Sequence, residues 1–256
     1  MEAAYVACKR GHHVVLCEKE ESLGGQLRLA AVPIAKQDLT KVIKFMIRRL
    51  EQSDVEIRLN CPVTKEMLET EFKDYEVIAS AGAKSIEIEP FKKFKQCMSA
   101  DDILSGKAFP GRKIVIIGGG SVGCETADYL APTVHDLLPS NRDITVLEMA
   151  NGVMMKESGP GRSLLVQRMM SKGVKLITSA KVESVEEDKI FYTKDNKECC
   201  IDDADTLVFA LGYKVDPNME NMLKEANVHY HLIGDANKIG NLKDAIYDGF
   251  NLVKNI

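Results

Sequence analysis

The chain has 256 residues, enough for one large domain or two medium-sized domains with buried cores. Its composition is 45% hydrophobic with a net charge of −4, which gives no reason to expect nucleic acid or a membrane surface as a partner. It has no apolar run of transmembrane length and no signal-peptide core. Its seven cysteines form no C-x-x-C pair, so we expect a cytoplasmic protein with no metal site and no redox disulfide.

The chain starts with elements of a nucleotide-binding unit. Residues 1–10 form a predicted helix that ends at Gly11, and residues 12–19 form a predicted strand with Glu18 and Lys19 at its end. Helix, strand and acid are the second half of a β-α-β nucleotide fingerprint, and the strand and glycine turn of its first half are not in the chain. We therefore expect either a fragment of a longer protein or a start codon that was assigned too late.

Gly24, Gly25 and Gln26 follow this strand, where two glycines suit a backbone that passes close to a ligand or a simple turn. The apolar spacing of residues 38–52 predicts an amphipathic covering helix. Residues 55–59 and 75–83 are predicted strands, the second of which runs into the small residues Ala81 and Gly82. Residues 84–112 are polar and rich in lysine, and we interpret them as a crossover segment.

The strongest motif is at residues 113–130. Four apolar β-branched residues predict a strand buried on both faces, followed by Gly118, Gly120 and Gly123 in G-x-G-x-x-G spacing and a predicted helix that begins at Ser121 and Val122. In this spacing the glycines permit a tight turn, approach of a pyrophosphate and close helix–strand packing. Helix N–H groups then face the phosphates. A tight strand–helix turn without a ligand is the alternative.

The next predicted strand, 143–148, ends in Glu148, an acceptor suited to ribose hydroxyls. Glu148 follows Gly118 by 30 residues instead of about 20, and a loop insertion at 131–141 accounts for the excess. No arginine follows directly, which favours NADH over NADPH. Arg162 is the nearest later candidate for a 2′-phosphate ligand. An ordinary strand-end carboxylate would also explain Glu148.

The rest of the chain repeats this design. Residues 161–172 predict a helix, 174–178 a strand and 180–200 short alternating strands. The strand at 205–212 ends in Ala210, Leu211 and Gly212, and the strand at 228–236 ends with Gly234 and Asp235. A helix at 242–253 closes the chain.

Together, residues 18–33, 118–130 and 232–236 resemble the tandem dinucleotide-binding domains of flavoprotein pyridine-nucleotide oxidoreductases. More narrowly, the chain is similar to the C-terminal half of the enoate reductase and 2,4-dienoyl-CoA reductase family, relatives of old yellow enzyme. The resemblance implies an α/β fold of tandem Rossmann-like domains of the pyridine nucleotide-disulfide reductase type. An NAD(P)H domain at 85–212 would be inserted in an FAD domain made of 1–84 and 213–256.

The resemblance also implies two groups of cofactor-binding residues. The FAD group is Glu18, Lys19, Gly24, Gly25, Gln26, Ala81, Gly82, Gly234 and Asp235. The NAD(P)H group is Gly118, Gly120, Ser121, Val122, Gly123, Glu148, Ala210, Leu211 and Gly212. Asp235 would accept hydrogen bonds from the ribityl chain, and a helix N-cap is the competing interpretation of this residue.

The chain departs from that family in two ways. The FAD-side glycine triplet and its strand, which would lie in the middle of the first sheet, are missing, and their loss leaves neighbouring strands without ladder partners. The family's TIM barrel, which carries FMN, an iron–sulfur cluster and the catalytic acid, is also missing. The first unit either folds alone or borrows a strand from another copy, and in the second case the chain forms a homo-oligomer.

Two functional hypotheses follow. In the first, the chain passes hydride from NADH to FAD and onward to the missing barrel domain, and no side chain here acts as a catalytic residue. In the second, the chain is a nucleotide-binding module for NAD(H) or an adenosine nucleotide without turnover. If the chain were a purely structural domain, the glycine triplet, the two strand-end acids and Gly234–Asp235 would occur together only by chance. A disulfide reductase is disfavoured because residues 26–40 contain no cysteine.

Overall fold

The computed structural model describes residues 1–132, 141–157 and 159–256, so most of the predicted insertion at 131–141 lies outside the described residues. The α-helices are α1 (Glu2–Lys9), α2 (Gln26–Ala30), α3 (Leu39–Glu51), α4 (Lys65–Glu69), α5 (Ala100–Leu104), α6 (Ser121–Leu130), α7 (Pro160–Ser171), α8 (Pro217–Glu225) and α9 (Leu242–Asn255). Short 3-10 turns are Ile34–Lys36, Glu89–Lys93 and Gly234–Ala236.

The strands follow in chain order. They are β1 (Val15–Cys17), β2 (Glu56–Arg58), β3 (Val77–Ala79), β4 (Ala83–Ser85), β5 (Cys97–Ser99), β6 (Lys113–Ile117), β7 (Asp143–Leu147), β8 (Lys175–Ile177), β9 (Ala180–Val185), β10 (Ile190–Lys194), β11 (Lys197–Ile201), β12 (Thr206–Phe209), β13 (Tyr213–Val215) and β14 (Tyr230–Leu232). Strands β4 and β13 pair as a two-stranded sheet.

The chain divides into two compact units. Unit 1 contains Met1–Ala31, Ala35–Lys84 and Tyr213–Ile256, and unit 2 contains Val32–Ile34 and Ser85–Gly212. Unit 2 is therefore almost one continuous stretch, whereas unit 1 is assembled from both ends of the chain. The assignment of FAD to one unit and NAD(P)H to the other stays a prediction.

Unit 2 is built on a five-stranded parallel sheet in the order β5-β12-β6-β7-β8. Strand β6 lies between β7, which follows it in the chain, and β12, which comes much later, so the strand order reverses beside β6. In open parallel sheets, ligands bind outside the carboxyl ends of the strands at this kind of reversal. A separate three-stranded antiparallel sheet, β11-β10-β9, follows the parallel strand β8 in the chain.

The central strand of unit 2 is buried on both faces. Ile114 and Ile116 pack with α6 residues such as Ala127 in one apolar cluster, while Val115 and Ile117 pack in a second cluster. All four side chains are at most 6% exposed. This explains why β6 is a continuous apolar run rather than an alternating one.

A buried ion cluster joins α6 to α7. The Asp128 side chain, 3% exposed, accepts hydrogen bonds from the Arg168 guanidinium (Nη2–Oδ2 2.7 Å) and the Lys172 ammonium (Nζ–Oδ1 2.8 Å). Burial alone would raise the pKa of Asp128. The hydrogen bonds and charges of Arg168 and Lys172 outweigh it, and the pKa lies below its ordinary value.

Replacing Asp128 with asparagine is expected to destabilise unit 2 by about 3 kcal/mol. This value is at the low end of the cost of breaking a buried ion pair, because Arg168 is partly open to water. Because folding lowers the pKa of Asp128, the carboxylate stabilises the folded state above pH about 4 and progressively less at lower pH. The difference in unfolding free energy between wild type and Asp128→Asn should therefore shrink as the pH falls below about 4. Urea unfolding at several pH values measures it.

The matched control is Asp143→Asn, which breaks an exposed pair with Lys175 (N–O 3.0 Å) in the same unit. It should cost less than about 1 kcal/mol. Equal costs for the two substitutions would contradict a stabilising role for the buried cluster.

Unit 1 has two separate parallel ladders, β1 with β2 and β3 with β14. Within the described residues each strand has a ladder partner on one side only. Side chains of both ladders nevertheless share one apolar cluster, which includes Val15, Cys17, Val77 and Leu232. Packing of side chains therefore holds together strands that no backbone ladder joins.

Part of the crossover predicted at 84–112 is regular structure. It contains β4, β5 and α5, and β5 is the edge strand of the five-stranded sheet. Helix α5 begins with a capping box between Ser99 and Asp102. The interpretation of this stretch as a plain polar crossover was wrong. Each of these elements has only three to five residues, which is too short for a periodic pattern, and lysines surround them. The sequence interpretation also assigned no helix at α8, and it extended β3 and β14 beyond their observed ends.

No helix in the described parts of the chain is both long enough and apolar enough to cross a membrane.

Candidate dinucleotide-binding sites

The turn between β6 and α6 requires glycine at two positions. A β-carbon on Gly123 would lie 1.9 Å from the carbonyl oxygen of Gly118, and one on Gly118 would lie 2.4 Å from the carbonyl oxygen of Ala210. Gly118 also has φ of 106°, which disfavours any other residue. The first and third glycines are therefore explained by the packing of this turn.

Gly120 is different. A β-carbon there would meet no atom within 4 Å, and its φ of −71° is ordinary for any residue. Neither packing nor backbone conformation requires glycine at this position. The open space in front of this glycine is what the second glycine of a pyrophosphate-binding turn provides.

The first turn of α6 offers hydrogen-bond donors to such a ligand. Gly120 is the N-cap and provides no side-chain cap, so the N–H groups at Ser121 and Val122 have no partner within the helix. The Val122 side chain packs against the unit 2 core. The Ser121 hydroxyl donates to Glu157 (Oγ–Oε1 2.7 Å). These residues suit an anion at the positive end of the helix dipole.

Glu148 lies at the carboxyl end of β7, beside the glycine turn. Its two carboxylate oxygens accept N–H groups from Gly119 (2.6 Å) and Ala150 (2.7 Å). These bonds fix the carboxylate, and each oxygen keeps a lone pair for a further donor. The side chain is half-buried rather than exposed, its two backbone bonds give it a structural role, and its role as ribose acceptor stays a prediction.

Sequence reasoning missed the segment after Glu148. Its Met154 N–H donates to the carbonyl oxygen of Gly119 (2.7 Å), so residues 150–157 fold against the glycine turn. Arg162 donates to the Val153 carbonyl oxygen (3.1 Å) and contacts the Met155 sulfur (3.2 Å). These contacts hold the guanidinium close to the segment that follows Glu148. No residue type in this segment signals them, because the key bonds are made by the backbone.

Residues 210–212 complete the unit 2 site. The Ala210 N–H donates to the Ile117 carbonyl oxygen (2.9 Å), and the carbonyl group of Ala210 faces Gly118. Leu211 packs on the core, and Gly212 has φ of 87°. The structure thus brings together Gly118–Gly123, Glu148 and Ala210–Gly212, at the β6/β12 reversal of strand order.

In unit 1, the loops after β3 and β14 meet. A β-carbon on Gly82 would lie 3.1 Å from Cα of Ala236, next to Gly234 and Asp235 in a 3-10 turn. The Asp235 carboxylate accepts the Gly240 N–H (2.9 Å). The N-cap of α9 is Asn241, in a capping box with Asp244, so the N-cap interpretation of Asp235 was wrong. The Ala81–Gly82 and Gly234–Asp235 residues therefore lie at adjacent carboxyl ends of parallel strands.

The other predicted FAD residues lie around β1 and α2. The backbone of Glu18 bonds with Arg58 and Cys61, its carboxylate accepts the Glu20 N–H (3.1 Å), and Lys19 is exposed. Gly24 and Gly25 have φ of 123° and 48° and lead into α2 at Gln26. Backbone conformation alone explains both glycines, so they provide weaker support for a ligand than Gly120 does.

The fold brings two cysteines together. The Cys17 thiol at the end of β1 interacts with the Cys61 thiol, and burial together with Cys61 raises the pKa of Cys17 to about 11. In unit 2, burial and the acids Glu125 and Glu148 raise the pKa of Cys124 to about 12. Both thiols are therefore protonated and poor nucleophiles at neutral pH. The sequence shows the cysteines as scattered, since no local spacing links residues 17 and 61.

The fold and the glycine turn of unit 2 are typical of dinucleotide-binding oxidoreductases. A family model described as pyridine nucleotide-disulphide oxidoreductase matches residues 1–233, and the chain belongs to that family. The α/β fold and the family resemblance predicted from the motifs are thereby confirmed. The family supports binding of FAD and of a pyridine nucleotide.

Similar proteins are much longer than this chain. Cinnamate reductase of Clostridium sporogenes is 34% identical over 262 residues, which cover 100% of the chain and 37% of that protein. Bilirubin reductase of Mediterraneibacter gnavus is 31% identical over 256 residues, covering 98% of the chain and 38% of that protein. The structure of a 2-naphthoyl-CoA reductase in complex with 2-naphthoyl-CoA superposes with a TM-score of 0.88 at 24% identity. The match covers 100% of this chain and 38% of the reductase. The chain thus spans less than two-fifths of each.

Proposed function

We propose that this chain is the NADH- and FAD-binding part of a flavin-dependent oxidoreductase, with the nicotinamide nucleotide in unit 2 and the flavin in unit 1. The observation that carries the proposal is the turn between β6 and α6, where Gly120 leaves open space in front of the uncapped start of the helix. The free N–H groups there would hold the pyrophosphate, and Glu148 would accept from ribose hydroxyls.

The same geometry favours NADH over NADPH. Glu148 is fixed by two backbone N–H groups and cannot turn away without losing both bonds. A 2′-phosphate beside this carboxylate would bring two negative charges together. Arg162 could compensate only by giving up its contacts with Val153 and Met155.

In unit 1, Ala81, Gly82, Gly234 and Asp235 would bind the flavin, with Asp235 as acceptor for its ribityl hydroxyls, while Glu18, Lys19 and Gly24–Gln26 would hold its adenosine side. When bound, the flavin would accept hydride from the nicotinamide and release electrons to a further centre. We place that centre in an additional domain of the parent protein, an FMN- and iron–sulfur-carrying TIM barrel. This arrangement is favoured by the named reductases, in which about 60% of the chain lies outside the match.

A visible absorption spectrum of the purified chain tests the proposal most directly. FAD and then NADH are added without oxygen. A flavin band that bleaches on addition of NADH supports a working hydride path through both units. A spectrum with bound flavin that NADH does not bleach would contradict it.

The second candidate is a nucleotide-binding module without turnover, favoured by the division of unit 1 into two separate two-stranded ladders. This alternative predicts a colourless protein that binds NADH through unit 2 and retains no FAD. The same titration, followed by NADH fluorescence, separates the two functions.

Gly120→Ala is expected to weaken NADH binding by roughly 10- to 100-fold, because the added methyl group lies where the pyrophosphate approaches. Stability should fall by no more than about 1 kcal/mol, because the methyl meets no protein atom and the only cost is that alanine is a poorer N-cap than glycine. Fluorescence titration with NADH and urea unfolding measure the two effects.

The matched control is Gly161→Ala, whose new β-carbon also meets no atom within 4 Å at the first turn of α7. It should leave NADH affinity unchanged. Full NADH affinity in Gly120→Ala would remove the main argument for a ligand at this turn.

A further inference from the structure

A cluster of potential metal ligands lies in unit 1, away from the loops assigned to the flavin. Glu76, His229 and His231 each offer one ligand atom, and the three atoms lie within 4.8 Å of one another. The Glu76 Oε1 atom is 2.5 Å from Nδ1 of His229 and 2.5 Å from Nε2 of His231. Two imidazoles and a carboxylate converge on one point.

Strand pairing creates this cluster. Tyr230 pairs with Val77 and His231 with Ile78 in the parallel β3–β14 ladder, and the Val77 N–H donates to the His229 carbonyl oxygen (3.2 Å). Because side chains alternate along extended backbone, His231 in β14 and His229 just before it point to one face, and Glu76 just before β3 points to the same face. Tyr230 points to the other face, where its hydroxyl reaches Glu220 (3.2 Å).

The donor set suits a transition metal. Neutral imidazole nitrogen and carboxylate oxygen are the ligands of three-ligand zinc sites, which keep one position for water. Ligand atoms around tetrahedral zinc lie roughly 3.3 Å apart, given bonds of about 2.0–2.1 Å. The observed separations, from 2.5 Å up to at most 4.8 Å, require adjustments of no more than about 1.5 Å, which exposed side chains make by rotation.

The surroundings leave room for the ion and its water. The side chains of Glu76, His231 and His229 are 38%, 31% and 75% exposed. His231 is held in β14 by its pairing with Ile78, and Glu76 and His229 directly precede β3 and β14. The site is therefore accessible from solvent, with positions that are set before binding.

We propose that Glu76, His229 and His231 bind one divalent transition-metal ion of the zinc type, which crosslinks β3 to β14. The site lies at the amino ends of these strands, whereas Ala81–Gly82 and Gly234–Asp235 follow their carboxyl ends. The ion ties together the two strands that support the proposed flavin loops and takes no part in hydride transfer.

Zinc titration of the full 256-residue chain in competition with a chromophoric chelator tests this site. Wild type should bind one Zn²⁺ through it. Glu76→Gln, His229→Asn and His231→Asn should each weaken that binding by at least about 100-fold, since loss of outer-shell partners alone costs 10- to 100-fold. Addition of Zn²⁺ should raise the melting temperature of wild type and not of the three variants.

His12→Asn is the matched control, because it removes an exposed imidazole of unit 1 that is not in the cluster. It should keep wild-type zinc affinity. Circular dichroism without metal checks that the variants are folded, and all three replaced side chains are at least partly exposed. Zinc affinity that is equal in wild type and all three variants would overturn the proposal and assign the binding to other groups such as the cysteines.

Discussion

Replacing Gly123 with alanine is expected to abolish the folding of unit 2, with a loss of about 4 kcal/mol or more. The new β-carbon would lie 1.9 Å from the Gly118 carbonyl oxygen. That oxygen is backbone between the central strand β6 and helix α6, so it cannot swing aside as a long side chain could. The helix must move off the sheet, and its buried residues such as Cys124 and Ala127 would lose their packing. Urea unfolding followed by circular dichroism measures the loss.

Gly120→Ala is the control for this experiment, since it adds the same methyl group to the same turn with no clash. It should lose no more than about 1 kcal/mol, the cost of a poorer N-cap, and therefore unfold at a urea concentration close to that of wild type. A Gly123→Ala protein of near wild-type stability would show that α6 does not pack on this turn as described.

Replacing Glu148 with alanine is expected to raise the dissociation constant of NADH by roughly 10- to 100-fold. This change corresponds to the loss of one or two hydrogen bonds from the ribose to a charged acceptor. NADPH should lose less, because the carboxylate that opposes a 2′-phosphate is removed together with the ribose acceptor. The preference for NADH over NADPH should therefore fall or disappear. Parallel fluorescence titrations with the two nucleotides measure both constants on the same preparation.

Asp143→Ala, at the amino end of the same strand, is the control and should leave both constants unchanged. The ratio of the two constants also distinguishes a ribose contact from a general loss of stability, which would weaken both nucleotides equally. An unchanged ratio in Glu148→Ala would contradict the proposed contact.

The sequence predicted well those features that depend on neighbouring residues. The apolar run of β6, the glycine spacing and the acid at the end of β7 each reflect a local requirement, for burial, for close packing or for an acceptor. Their positions in the structure follow from parallel pairing, which brings the carboxyl ends of β6, β7 and β12 to one edge of the sheet.

Features that depend on distant pairing were not predictable. The contact of Met154 with Gly119 is a backbone hydrogen bond, which no residue type encodes. The Glu76–His229–His231 cluster arises from the register of strands separated by 153 positions in sequence. Strand β5 was missed because three residues are too short for a periodic pattern.

The insertion of unit 2 within unit 1 sets the order in which the chain is completed during synthesis. Residues 85–212 leave the ribosome before β13, α8, β14 and α9 exist, so unit 2 can close its sheet first. The Arg10 guanidinium just after α1 donates to the Val253 carbonyl oxygen (2.8 Å), a partner 243 residues later. At about 5–20 residues per second, α1 waits on the order of 10–50 s for α9. During that time the α1 side chains that pack with Val253, namely Ala3, Val6 and Ala7, are open to chaperones and to other nascent chains.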